Sequence, residues 1–388
     1  MIRGSPLLNV ADARRRAKRA LPKVVFDYVD GGAEDEHTML ANTTAWRELD
    51  FKPRMAVGSV VPNLSTRLFG ETLRLPVILA PCGLVRLMHP DGATGVARAA
   101  SGRGTVSVLS SVAGSPMDEV SRASEGPTWF QLYSAGRKQS ESAIEKAAVC
   151  GFGALVVTVD TPVLGHRERD LRNGVDPPLR VNAAGVVRLG PQVLAKPTWT
   201  WRMARDGIQM LSSPAAPSVL SGSSIASPFT WSDIEWMRTR WKGPLLVKGV
   251  LSAGDARRTA ASGADGVIVS NHGGRQLEGA PATARVLPEI VSAVGNDIEV
   301  LVDGGIRRGS DVVKAMALGA KAVLIGRPYL YGLAAQGRRG VERIIDVFAD
   351  EMSRTMALLG CPDVDSLDSS WLHPASSGSG IEIHDEHG

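Results

Sequence analysis

The reactive side chains concentrate in Ser270-Asn271-His272-Gly273-Gly274-Arg275-Gln276-Leu277, directly after the apolar run Gly266-Val267-Ile268-Val269. The segment offers an imidazole that titrates near neutral pH, a guanidinium that stays charged, and two glycines that let a ligand approach the backbone. Acid–base chemistry on a bound molecule is what such a set can do. Two later runs end in the same manner. Val300-Leu301-Val302 leads into Asp303-Gly304-Gly305-Ile306-Arg307-Arg308-Gly309, and Val323-Leu324-Ile325 leads into Gly326-Arg327-Pro328.

Residues placed at the ends of apolar runs need a scaffold that gathers those ends together. Five more runs precede these three: Pro76 to Ala80, Val106 to Leu109, Trp129 to Tyr133, Leu155 to Val159 and Leu245 to Val247. Most are followed by a helical pattern, as in Ala93 to Ser101, Ser140 to Cys150, Ala253 to Ser262 and Ser310 to Leu318. Eight alternating units of this kind predict a closed (β/α)8 barrel, whose active site lies in the loops at the carboxyl ends of the strands.

The 388 residues and the 44% hydrophobic fraction supply a core for one domain over 1–388, with a helical lead-in before the first strand. No apolar stretch of about 18 residues is present to span a bilayer. The stretch Met1 to Arg16 is basic without an apolar centre, which does not fit a secretory signal. Cys82, Cys150 and Cys361 are too few and scattered for a disulfide framework or a zinc site, so no metal is expected and a cytoplasmic location is. A net charge of +4, spread along the chain, argues against nucleic-acid binding. The densest basic cluster, Arg14-Arg15-Arg16 with Lys18 and Arg19, reads as the solvated face of a helix ending at Leu21-Pro22.

Spacing between units breaks once, from Asp160 to Leu245, and an insertion after the fourth strand, about residues 175–229, is placed to cover the site. It carries Trp199, Trp201, Arg202, Met203 and Arg205, a mixture suited either to a membrane interface or to a mobile lid. The Ser/Pro/Ala-rich stretch Ser212 to Pro228 and a tail of about 376–388 read as flexible.

The last two strand ends pair glycines with Arg307 and Arg327, and phosphate sites in such barrels lie after strands seven and eight. A phosphate-bearing ligand follows. Lys248, at the end of strand five, would set a positive charge over the barrel mouth, useful to a group such as a flavin that gains negative charge on reduction.

The strings LPKVVFDYVDGGAEDE (Leu21 to Glu36), LAPCGLVRLMHPDG (Leu79 to Gly92), WFQLYS (Trp129 to Ser134), VTVDTP (Val157 to Pro162), LLVKGV (Leu245 to Val250), IVSNHGGRQLEGAPAT (Ile268 to Thr283), LVDGGIRRGSDVVKAMALGA (Leu301 to Ala320) and IGRPYLYGLA (Ile325 to Ala334) resemble the FMN-dependent 2-hydroxy-acid oxidase/dehydrogenase family. The likeness runs from about Leu21 to Leu372. Within that family, RLMHPDG and the insertion bearing Lys196-Pro197-Thr198-Trp199 are most similar to bacterial L-lactate and mandelate dehydrogenases, whose insertion attaches them to the membrane.

The resemblance implies an FMN cofactor, an L-2-hydroxy-acid substrate and a homo-oligomer, a tetramer in many members. It implies that His272 is the base, Asp303 the carboxylate that steadies the imidazolium, Arg275 and Arg167 the cations that fix the substrate carboxylate, and Tyr133 and Tyr28 the phenols that hydrogen-bond substrate. For the flavin it implies ring contacts from Ser110, Gln131, Thr158 and Lys248, backbone at Pro81, Cys82 and Gly83 near N5, and Ser270 beneath the ring. Ribityl and phosphate contacts would come from Asp303, Gly305, Arg307, Gly326 and Arg327.

Three positions depart from the family pattern. Gly83 stands where many peroxide-producing members have Ala, Val112 where some have a bulky Trp, and Glu278 where Asp is usual. The readings left open are a dehydrogenase passing electrons to a quinone at the inner face of the cell membrane, a soluble oxidase using O2, a flavoenzyme oxidising a peptide-derived maturation intermediate, and a flavin-binding barrel without turnover. The joint presence of His272, Asp303, Arg275 and Arg167 argues against the last.

Overall fold

The structure, a computed structural model, describes residues 6–58, 61–176, 180–181, 183–206 and 229–373. Each of the eight runs forms a strand: β1 (Val77–Leu79), β2 (Ser107–Ser110), β3 (Thr128–Leu132), β4 (Ala154–Thr158), β5 (Leu245–Val250), β6 (Gly266–Val269), β7 (Glu299–Val302) and β8 (Ala322–Ile325). They pair in parallel in chain order and close, β8 against β1. The chain is a (β/α)8 barrel. Both faces of the strands are buried, so they read as continuous apolar runs instead of alternating ones.

Side-chain alternation along a strand sorts each run into an inward and an outward set. Inward residues Ile78, Val108, Trp129, Val156, Leu246, Ile268, Leu301 and Leu324 fill the barrel. Below them a hairpin of Thr66–Leu68 and Glu71–Leu73 closes the amino-terminal end, with Leu68 and Leu73 buried and Phe69 edge-on to Trp129 at 5.8 Å. Register slips once, between Ile268 and Val269, where Val269 faces Val250. The slip falls at Gly249, which has φ +109° and whose Cβ would come within 2.6 Å of the Asp160 side chain. A glycine there lets the end of β5 pass close beneath Asp160.

The lead-in forms three helices, α1 (Val10–Ala20), α2 (Lys23–Asp30) and α3 (His37–Arg47). Arg14 departs from the expected solvated face, because its guanidinium reaches Asp30 through contacts of 2.5 and 2.7 Å. Burial works against the Asp30 charge, yet Arg14, the Tyr331 hydroxyl and Arg169 hold its pKa down at about 2. This knot fixes the end of α2 beside the barrel mouth.

After β4 the insertion makes a short hairpin, Val175–Asp176 with Arg180–Val181, then helices Ala183–Leu194 and Pro197–Asp206. It is docked on the body. The Gln192 side chain accepts from Val24 N at 2.9 Å, Lys196 Nζ donates to Arg19 O at 2.7 Å, and Trp199 Nε1 donates to Leu87 O at 2.9 Å. The two tryptophans therefore differ, Trp199 packing on the core and Trp201 standing 69% exposed. Of the two, only Trp201 has its ring largely open to solvent. The Ser212 to Pro228 stretch and the tail of about 376–388 lie outside the described residues. Among the described residues no helix is long and apolar enough to cross a membrane.

Candidate active site

On six of the eight strands the inward face changes from apolar to polar as it climbs. Two residues above the apolar filling come Ser110 on β2, Gln131 on β3, Thr158 on β4 and Lys248 on β5, then Ser270 and Asp303 just past β6 and β7, all buried. Ser110 Oγ donates to Gln131 Oε1 at 2.6 Å, and Gln131 Nε2 donates to Thr158 Oγ1 at 2.9 Å. Across this layer Lys248 Nζ sits 2.7 Å from Ser270 Oγ and 2.9 Å from Asp303 Oδ2. Burial opposes the lysine's charge, but Asp303 and Asp160 raise its pKa, so the cation persists at the floor of the mouth it helps to line.

One more inward step reaches the mouth, a cleft of about 1070 Å³ that includes space open to solvent. Here the predicted catalytic set comes together: His272, Arg275, Arg167, Tyr133 and Tyr28 all line it, with Lys248 and Asp303 below. Pro81, Cys82 and Gly83 form one wall. Gly305, Arg307, Gly326 and Arg327 line it as well, with Gly326 next to Cys82.

His272 does not pair with Asp303. Its Nδ1 lies 2.9 Å from Asp160 Oδ1, while Asp303 pairs with Lys248. The carboxylate that meets the imidazole is thus Asp160, a residue of the VTVDTP string to which the sequence reading gave no function, and not Asp303. A signal existed. Asp160 stands two residues past Thr158 as His272 stands two past Ser270, and alternate strands of such a barrel send side chains into the same layer. With the carboxylate accepting from Nδ1–H, Nε2 turns its lone pair to the cleft, where the Tyr133 hydroxyl lies 3.4 Å away. Burial lowers the His272 pKa against the opposing pull of Asp160, so the imidazole is neutral at pH 7. For Asp160 burial is outweighed by the His272 and Lys248 charges, and its pKa falls.

Opposite the imidazole stand two guanidiniums. Burial and the neighbouring Arg275 push the Arg167 pKa down to about 10, so it remains charged at neutral pH although poorly compensated. Its Nε is buried without a hydrogen-bond partner, as are Asp160 Oδ2 and Asp303 Oδ1. Buried polar groups are rarely left unpaired, and three around one cleft mark where a polar ligand belongs. Arg275 donates to Gly31 O at 2.7 Å and lies over the Tyr28 ring at 5.3 Å. Arg327 donates to Val29 O, Gly273 O and Gly31 O, so it also ties the end of α2 to the barrel. Burial and Arg275 lower its pKa to about 9.

The loops themselves are cross-braced. Gln276 Nε2 donates to Asp160 O at 2.9 Å and Val163 O at 2.8 Å, and its Oε1 accepts from Gly165 N at 3.1 Å. That side chain joins the segment bearing Asp160 and Arg167 to the one bearing His272. Glu278 receives the backbone N–H of His37 at 2.5 Å and of Thr38 at 3.3 Å, capping α3 from a distant loop. The glutamate that departs from the family's usual aspartate thus has a structural role.

The model of the FMN-dependent dehydrogenase family matches residues 17–374. The chain belongs to this family. It is an FMN-dependent oxidoreductase. It is 43% identical over 376 residues to an L-lactate dehydrogenase of Caulobacter vibrioides, covering 94% of this chain and 97% of that one. It is 40% identical over 362 residues to a peroxisomal (S)-2-hydroxyacid oxidase of Arabidopsis thaliana, covering 93% and 95%. The crystal structure of a monotopic membrane protein, (S)-mandelate dehydrogenase, superposes with a TM-score of 0.89 at 39% identity over 95% of this chain and all of that one. FMN suits the lining: glycines and two arginines at one end for a phosphate, and an unpartnered carboxylate oxygen, Asp303 Oδ1, along the way.

Proposed function

We propose that this enzyme oxidises a small L-2-hydroxy acid to its 2-oxo acid, with a quinone as the electron acceptor. The observation that carries the substrate class is the pair Arg167 and Arg275, two cations in one cleft, one with a buried unpaired Nε, facing a neutral imidazole held by a carboxylate. Planar guanidiniums bind a carboxylate bidentately, and this fixes the acid so that the neighbouring C2 group meets His272. FMN, when bound, would supply the two-electron acceptor.

His272 takes the substrate's proton at Nε2. Asp160 holds the Nδ1–H and stabilises the imidazolium that results. The Tyr133 hydroxyl stands between base and substrate oxygen, and Tyr28 approaches from α2 beside Gly83. Lys248 and Asp303 would hold the flavin, Lys248 as the charge that balances a reduced ring. Ser110, Gln131, Thr158 and Ser270, and the backbone at Pro81, Cys82 and Gly83, would be its ring contacts, and Gly305, Arg307, Gly326 and Arg327 would hold the ribityl phosphate.

Quinone as acceptor and attachment at the inner face of the cell membrane rest on the bacterial lactate dehydrogenase and the monotopic mandelate dehydrogenase among the relatives, together with exposed Trp201 on the insertion. The plant oxidases favour O2 as the second reading. Gly83 bears on that choice, because a Cβ there would lie 3.2 Å from the Tyr28 hydroxyl and 3.3 Å from Val112. Anaerobic titration with lactate and mandelate, followed by reoxidation with a soluble quinone or with O2, tests both parts. His272→Asn should keep its FMN and slow flavin bleaching by roughly 10²–10⁴-fold. Near-normal bleaching in that variant removes His272 as the base, and faster reoxidation by O2 than by quinone removes the dehydrogenase reading.

A further inference from the structure

His272 adopts φ +58°, in the left-handed region that few residues other than glycine occupy. Gly273 follows at +66°, and Gly274 N donates to Asn271 O at 3.0 Å, so the four residues close a turn with both central positions at positive φ. Glycine, Asn and Asp dominate those positions. An imidazole there persists only where its surroundings over-determine it.

What over-determines it comes from outside the barrel. The Asn271 side chain fills all four of its hydrogen-bonding positions: Oδ1 accepts from Gly274 N at 3.1 Å and from Asn42 Nδ2 at 2.8 Å, while Nδ2 donates to Asn42 Oδ1 at 2.8 Å and to Pro281 O at 3.0 Å. Asn42 is a buried residue of α3, and its Oδ1 also accepts from Thr283 N at 3.2 Å. Two amides thus make a closed reciprocal pair between the lead-in and the residue preceding the imidazole. The same turn of α3 meets the loop after β7, since a Cβ on Gly305 would fall 2.2 Å from Asn42 O and Trp46 Nε1 donates to Gly304 O at 2.8 Å.

We propose that Asn42 is a positioning residue for the reaction: through Asn271 it holds the left-handed turn that sets the His272 imidazole between Asp160 and Tyr133. Helix α3 supplies no atom to the cleft wall around the base, yet it governs the base's aim. The inference rests on His272 being the base. Its force comes from geometry at short range, because a misplacement of about 1 Å in a reacting group can cost about 100-fold in rate.

The test uses FMN-loaded holoenzyme and reads the limiting rate of anaerobic flavin reduction per bound flavin, the substrate concentration giving half that rate, and the thermal midpoint. Asn42→Asp keeps shape and acceptors but turns a carboxylate oxygen towards Asn271 Oδ1; Asn42→Ala removes the amide without adding charge. Both should lose about 10–100-fold in limiting rate, with half-saturation within about threefold, since Arg167 and Arg275 remain. A merely structural asparagine would lower the midpoint or the FMN content and leave the rate per bound flavin unchanged, and that result overturns the proposal. His272→Asn run beside them separates the two claims. If it is inactive while both Asn42 variants reduce normally, the positioning role fails alone; if all three reduce normally, the base assignment has failed and the positioning role with it.

Discussion

Two pairs of a carboxylate and a nitrogen base sit within one barrel end, built from similar materials and put to different uses. Asp160 and His272 stand on the even strands β4 and β6; Asp303 and Lys248 stand on the odd strands β7 and β5. The even pair lies one inward step higher, at the mouth, where its imidazole is neutral and free to change charge. The odd pair is sunk in the floor, both members buried and 2.9 Å apart, beneath whatever fills the cleft. Height along the strand separates a pair that moves a proton from a pair that holds one in place.

Asparagine at each aspartate should break the two pairs in different ways, and this is the largest expected effect. In Asp160→Asn the imidazolium loses its stabilising charge, so flavin reduction should fall about 100-fold or more with FMN retained. The pH dependence gives the sign. kcat/KM rises as His272 loses its proton, with a midpoint below the ordinary 6.5 because burial lowers it. Asp160 pulls the other way, so its removal should move the midpoint further down. In Asp303→Asn a buried lysine is left without its counter-charge, which costs about 3 kcal/mol of stability, and loss should appear in the thermal midpoint and in FMN content. Equal loss of FMN in both variants, or an upward midpoint in Asp160→Asn, would dissolve the distinction.

The sequence made the barrel legible because strands buried on both faces leave unbroken apolar runs at regular intervals, and it made His272 and Arg275 legible because they follow such a run directly. It misassigned the carboxylate. Asp303 follows a strand adjacent to that of His272, but adjacency along the sheet is not proximity across the mouth, which depends on the layer each side chain enters and on the slip at Gly249. Gln276 and Asn42 were illegible for a related reason. Their partners, Gly165 and Asn271, are fixed only when loops distant in the chain meet. Trp199 showed the opposite error, since an aromatic among basic residues reads as interfacial until its indole is seen bonded to Leu87 O.

A smaller effect is expected at the substrate end of the even pair. Arg167→Lys keeps a positive charge but loses the planar fork and the unpaired Nε, so half-saturation should rise by about 10–100-fold, with FMN content and the pH midpoint nearly unchanged. Saturation at the original concentration would mean that Arg275 alone holds the acid. A shifted midpoint would mean that Arg167 acts on His272 instead of on the substrate.

The smallest effect tests whether a brace near both pairs can be removed without disturbing either. Glu278 caps α3 through the N–H groups of His37 and Thr38, at a helix start where Glu36 has φ +63° and makes no side-chain cap of its own. A lost cap costs about 1 kcal/mol, and the negative charge at a helix amino terminus adds a few tenths. Glu278→Ala should therefore lower stability by about 1 kcal/mol in chemical denaturation. The Asn42–Asn271 pair and the bond from Gly279 N to Thr38 Oγ1 still join helix and loop, so the rate of flavin reduction should change by less than about twofold. A rate loss as large as that of Asp160→Asn would show that the even pair depends on the whole length of α3 and not on the single amide contact beneath the imidazole.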